Sequence, residues 1–123
     1  MLIVARQDDE KTVMGILSLL PGLKEISHLK TELDLYQGDD RHLYVWQETP
    51  QSQIQGVLGV QVINPNLVLV RHIILTPGAR TRKHYYQMLS DYQEMAPQVF
   101  LMGGLDTQKL ISQWRAKASK RQA

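Results

Sequence analysis

Residues Thr76–Met88 read TPGARTRKHYYQM, and they follow the apolar run Leu67–Leu75, LVLVRHIIL. The run is apolar at both alternating sets of positions, which predicts a central strand covered on both faces. After the Pro-Gly turn, Tyr85, Met88, Leu89, Tyr92 and Met95 fall at helical spacing, and Pro97 stops that helix. The segment is therefore a strand, a loop and a helix start. Such a junction gathers backbone N–H groups into one small space, where an anion such as a pyrophosphate is favoured. Arg80, Arg82, Lys83 and His84 crowd the same place. Cations oppose the partial positive charge of a helix N-terminus unless an anion lies between them. The cluster points to anion binding; its bland counterpart is a solvated loop.

Working outward, Met1–Ala5 predicts a short strand. Val13, Ile16, Leu17 and Leu20 form one helical face, closed by Pro21-Gly22. Ile26, Leu29, Leu33 and Tyr36 predict a second helix, broken at Gly38. His42–Trp46 and Ile54–Ile63, the latter with two glycines, read as strands joined to Leu67–Leu75 through turns. Beyond the third helix, residues 98–102 (QVFLM) predict a strand. Asp106 is placed to cap a last helix whose apolar face is Leu110, Ile111 and Trp114. Tyr85, Tyr92, Met88 and Met95 read as core. The order β-α-α-β-β-β-α-β-α predicts an α/β (α+β) fold with a mixed, mostly antiparallel sheet and helices on both faces.

The chain has 123 residues, which predicts one domain, taken as residues 1–116, with a basic C-terminal tail at 117–123. A hydrophobic content of 43% excludes a disordered chain. There is no cysteine, hence no disulfide or thiolate chemistry, as is usual in a reducing compartment. The first residues do not read as a signal peptide, and no apolar run is long enough to span a membrane. A cytoplasmic protein with no membrane partner is expected. Charge is lopsided: five Lys/Arg stand against nine Asp/Glu up to Val62, and nine against three after it. The basic half favours an anionic partner. His28, His42, His72 and His84 lack mutual ligand spacing, so no metal is expected.

Leu75-Thr76-Pro77-Gly78-Ala79-Arg80, together with the element order, resembles the GNAT acyltransferases, which bind acetyl-CoA. Met14–Pro21 (MGILSLLP) and Val70–Ile73 (VRHI) further resemble the short RibT-like GNAT proteins of bacterial riboflavin operons. The resemblance implies that acetyl-CoA, as co-substrate, meets Ile73, Ile74 and Leu75. It implies that the phosphates meet Arg80, Thr81, Arg82, Lys83, His84 and Tyr85. In register with the family's phosphate loop, Lys83 and Tyr85 stand where glycine or alanine is usual. Side-chain cations then replace lost backbone contacts, or CoA binding has decayed. The family's C-terminal β-hairpin is not expected here, and a homodimer is one way to complete the acceptor pocket.

For chemistry, the family needs a base to take a proton from an amine. His72 in the central strand and Glu48 at the end of an earlier strand are the candidates. Alternation places His72 on the face of Val70 and Ile74. Each has a bland reading: a histidine holding one structural hydrogen bond, and a surface glutamate. No tyrosine follows Tyr92 to serve as the acid, and Ser112 on the last helix reads as surface.

The leading reading is an acetyl-CoA-dependent N-acyltransferase acting on a small amine acceptor, with a possible link to riboflavin metabolism. The alternative is a catalytically inactive, GNAT-shaped protein that binds CoA or a nucleotide for regulation. A third reading, a nucleic-acid binder using the basic loop and tail, is opposed by the acidic first half.

Overall fold

The apolar runs form five strands: β1 Leu2–Val4, β2 Arg41–Trp46, β3 Gly56–Asn64, β4 Leu67–Leu75 and β5 Phe100–Gly103. Four α-helices join them: α1 Glu10–Leu17, α2 Ile26–Leu35, α3 Arg82–Met95 and α4 Gln108–Gln122. This computed structural model describes residues 1–122. Ala123 and the side chains of residues 120–122 lie outside the described residues, and with them the charges of Lys120 and Arg121 that were counted into the tail. As far as it is described, the stretch from residue 117 continues α4, and Lys117 Nζ lies 5.5 Å from the Tyr86 ring centroid. No helix of the described residues is long and apolar enough to cross a membrane.

The sheet order is β1-β2-β3-β4-β5. The first four strands are antiparallel neighbours, and β5 joins β4 in parallel. The expected mixed, mostly antiparallel sheet is the one observed. On one face, Val13, Ile16 and Leu17 of α1 and Leu29 of α2 pack on Val45, Val57 and Ile74. On the other face, Met88, Leu89 and Tyr92 of α3 and Ile111 and Trp114 of α4 pack on Trp46, Leu58, Val70 and Leu75. Burying apolar area on both sides of one sheet is the main favourable term for such a fold. Two expected core residues are exposed: Ile26 at 64% and Met95 at 49%. Each ends its helix, one turn beyond the last core side chain, Leu29 or Tyr92.

β3 and β4 fall out of step at two places, beside the turn between Val62 and Asn64 and, deeper in the sheet, between Gly59 and Val60. Gly59 faces His72, whereas Val60 faces Val70, so Arg71 is the extra residue of a β-bulge. The bulge resets the alternation. Val70 remains in the α3/α4 core, while Ile74 lies in the α1/α2 core. His72 shares the face of Ile74 but not that of Val70, which corrects the expectation from an unbroken strand. Gly59 is needed opposite the bulge: a Cβ there would lie 2.7 Å from Tyr36 Cζ and overlap the phenol oxygen.

β5 pairs only with Leu67–Val70 of β4. Buried Thr107 ends the pairing. Its hydroxyl donates to the Val70 carbonyl at 2.7 Å and accepts from the Gly104 N–H at 3.0 Å. Asp106, expected as the helix cap, lies in the turn before α4, and Thr107 ties that turn in its place. The chain then leaves the sheet, and residues 71–75 of β4 keep an edge with no strand beside it.

Gly59→Ala should lower stability by about 1–3 kcal/mol, the usual cost of overpacking. Urea unfolding measures it, and an unchanged midpoint would mean that the Tyr36 ring is not held against the bulge.

Candidate functional site

The open edge of β4 presents backbone groups in a set phase. The Thr76 N–H donates to the Gln55 carbonyl at 2.8 Å. Counting back through the register, Ile74 and His72 are bonded to β3, so Ile73 and Leu75 turn their N–H and C=O groups away from it. Ile74, expected beside them as a cofactor contact, turns its backbone to β3. An extended ligand laid along this edge can pair with Ile73 and with the Leu75 N–H as a further strand would, the Leu75 carbonyl being engaged by Arg80.

The edge leads into the start of α3. Pro77–Ala79 forms a single 3-10 turn, and Thr81 caps α3 by accepting from the His84 N–H at 3.1 Å. No non-glycine residue among the described residues has positive φ. Lys83 and Tyr85 are thus ordinary helical residues, and losing glycine and alanine there strains nothing. The Tyr85 side chain packs on the α3/α4 core. Arg80 does not reach outward: its guanidinium donates to the Leu75 carbonyl at 3.3 Å from Nε and 3.1 Å from Nη2. It braces the loop. His84 is also engaged, with Nδ1 2.7 Å from the Ala79 carbonyl oxygen and Nε2 2.8 Å from Glu48. Arg82 and Lys83 are exposed on the first turn. Lys83 borders a groove of about 320 Å³ between α3 and α4, with Tyr86, Trp114 and Lys117. Arg82 and Lys117 border a second groove on Tyr86. Three cations therefore surround the helix start, and two of them, Arg82 and Lys83, were expected there.

Glu48 and His72 are not brought together. Glu48 stands past the end of β2 beside His84, whereas His72 faces α2 at the bulge. There, His72 Nδ1 lies 2.7 Å from Tyr36 Oη, and Nε2 lies 3.8 Å from Glu32 Oε2. Burial lowers the His72 pKa below its ordinary 6.5, and the Glu32 charge partly offsets this. Asp106, in the loop after β5, adds a smaller upward pull. Burial raises the Tyr36 hydroxyl well above its usual range, so it stays protonated. With the ring proton on Nδ1, His72 donates to Tyr36 Oη and leaves Nε2 free to accept a proton. Ser112 accepts from Gln108 Nε2 at 2.8 Å on an exposed face, which fits its reading as surface.

Glu32, Tyr36 and Arg71 were not singled out from the sequence. Glu32 and Tyr36 stand four apart on one helical face, and Gly59 sits inside a strand, which is a usual mark of a bulge. Those two signals taken together were the available clue.

No family model matches the chain. It is 30% identical over 112 residues to an uncharacterized N-acetyltransferase in the lysA 3' region of Bacillus methanolicus, spanning 90% of this chain and 92% of that protein. In structure it is similar to the aminoglycoside 6'-N-acetyltransferase AAC(6')-IG of Acinetobacter haemolyticus, with a TM-score of 0.66, 14% identity and coverage of 96% of this chain and 88% of that one. It is also similar to AAC(6')-Iy in complex with a CoA-based bisubstrate analog, with a TM-score of 0.65, 16% identity and coverage of 96% and 87%. The element order, the open β4 edge running into a cationic helix start, and the relative sharing nearly the full length agree. The chain belongs to the GNAT-type N-acyltransferases.

Proposed function

We propose that the protein transfers an acetyl group from acetyl-CoA to an amine. The observation that carries this reading is the open edge of β4, with Ile73 and Leu75 offering backbone groups, leading directly to Arg82 and Lys83 at the start of α3. The extended arm of CoA would pair with the edge. Its phosphates would meet the first-turn N–H groups and the two side-chain cations. A thioester laid on this edge lies close to His72.

In the reaction, the amine nitrogen attacks the thioester carbonyl. His72 Nε2 takes a proton from the amine, the C–N bond forms, and the C–S bond breaks. The departing thiolate takes its proton from water at the open mouth, and the proton held on His72 Nε2 passes back to that water, which restores the base. Tyr36 positions the imidazole through Nδ1. A lowered His72 pKa keeps the base unprotonated at neutral pH.

The alternative, a CoA-binding protein without catalysis, keeps the same CoA contacts and loses the role of His72. A cytoplasmic location, a homodimer and a single domain over residues 1–116 belong to the proposal. So does an acceptor linked to riboflavin metabolism, supported only by the resemblance of Met14–Pro21 and Val70–Ile73 to RibT-like proteins.

Replacing Arg82 and Lys83 together with alanine should weaken CoA binding at least about 10-fold in calorimetry, since two charge-assisted phosphate contacts are lost. Arg80→Ala should act through stability instead. Equal CoA affinity in the Arg82/Lys83 variant and the parent would remove the phosphate role.

His72→Gln should cut turnover by roughly 100-fold or more, the usual scale for losing a positioned base. In the parent protein, kcat/KM should fall on the acid side with a midpoint below 6.5, because burial disfavours the imidazolium. Glu32→Gln removes a charge that favours the imidazolium, so its midpoint should move lower still. A midpoint that ignores Glu32, together with retained turnover in His72→Gln, would assign the base elsewhere.

A further inference from the structure

The α1/α2 face around the bulge holds three charged groups with unmet hydrogen bonds. Arg41 Nη1 on β2, Arg71 Nε on β4 and Glu32 Oε2 on α2 are each buried without a partner. Buried polar atoms are ordinarily bonded, and charged ones more strictly than neutral ones. These three come from different elements, yet all surround the same pair of rings. The charges of Arg71, Glu32 and Arg41 all act on Tyr36, and all act on His72. The Arg41 guanidinium lies 6.0 Å from the Tyr36 ring centroid.

The bulge explains the crowding. The extra residue lets Arg71 and His72 project to the same face from successive positions. Arg71 Nη1 donates to Gln61 Oε1 at 3.2 Å, and Gln61 Nε2 in turn donates to Asp40 Oδ2 at 2.9 Å. That chain fixes one nitrogen of Arg71 and leaves Nε without a partner. Neither arginine forms an ion pair with Glu32. The neighbourhood thus offers two guanidinium donors and one carboxylate acceptor, separated from one another, around a base. Arg41 and Tyr36 also wall a groove of about 590 Å³, together with Arg6, Glu10 and Gln37. Tyr36 stands between this groove and His72.

We infer that the acceptor is an amine that also carries an acidic group, a carboxylate or a phosphate ester. The inference rests on the reading that His72 takes the proton from the acceptor. The amine end lies between His72 Nε2 and Glu32, whose carboxylate receives an N–H. The acidic end meets Arg71 and Arg41, since guanidinium groups bind carboxylates and phosphates through paired hydrogen bonds. A plain amine would satisfy Glu32 and leave both arginines unmatched. A polyamine would bring further positive charge against them.

Matched pairs of probes decide this: β-alanine against propylamine, ornithine against putrescine, and O-phosphoethanolamine against ethanolamine. Each is titrated by calorimetry into the CoA-loaded protein and into the unloaded protein. At least one acid-bearing probe should bind at least about 10-fold more tightly than its plain partner, the scale of one charge-assisted contact. Arg71→Gln and Arg41→Gln should erase that preference, and Arg71→Lys should keep part of it. Melting curves show which variants remain folded; if none does, the probe pairs on the parent protein decide alone. The inference is overturned if the plain amines bind equally well or better, or if no acid-bearing probe binds the protein in either form. Failure of CoA itself to bind contradicts the proposed function instead, and the same probes on the unloaded protein still judge the acceptor class.

Discussion

One hydrogen bond sets the layout of the site: the Thr107 hydroxyl to the Val70 carbonyl. It occupies the acceptor that a longer β5 would use, and it stops the parallel ladder at Val70 and Gly103. One residue later, the bulge at Arg71 shifts the phase of β4. Together they leave the second half of β4 with an unpaired edge in the middle of a well-packed domain. Such an edge ordinarily invites aggregation and is covered or shortened. Here both faces of the strand are buried by helices, so only a narrow slot of backbone remains open. A slot of that kind fits one extended ligand and little else.

The bulge does a second thing. It turns His72 away from the α3/α4 core and onto the side of α2, next to Tyr36 and Glu32. The cationic helix start follows the same strand at its far end. On the proposed reading, phosphate recognition at the start of α3 and proton transfer at His72 would lie at the two ends of this one unpaired edge. The cations at the start of α3 need no special backbone. Thr81 caps the helix, Arg80 closes the turn onto Leu75, and Arg82 and Lys83 remain for an anion.

Much of this was legible in the sequence. Continuous apolarity in Leu67–Leu75 marked a strand buried on both faces, and its ends are those observed. The Pro-Gly turn and the cations marked the strand-to-helix junction, and the resemblance of LTPGAR carried the family. What escaped was set by contacts distant in sequence. Alternation assumes an unbroken ladder, so it placed His72 with Val70; only pairing with Gly59 reveals the bulge. Arg80 looked like a phosphate ligand, but a carbonyl five residues back is closer at hand. Lys83 and Tyr85 stand where glycine or alanine is usual, and only the helical backbone shows that both fit there without positive φ. Glu32 and Tyr36 lie on a helix whose partner face cannot be read locally, so their meeting with His72 was invisible.

The most direct measurement is a two-dimensional amide NMR titration with acetyl-CoA. The account predicts that the Ile73 and Leu75 amides shift with the ligand, along with those of Arg82 and Lys83, while Ile74, bonded to β3, moves least. Shifts confined to the grooves between α3 and α4, with Ile73 and Leu75 unmoved at saturation, would contradict the central claim that the open edge of β4 receives the thioester.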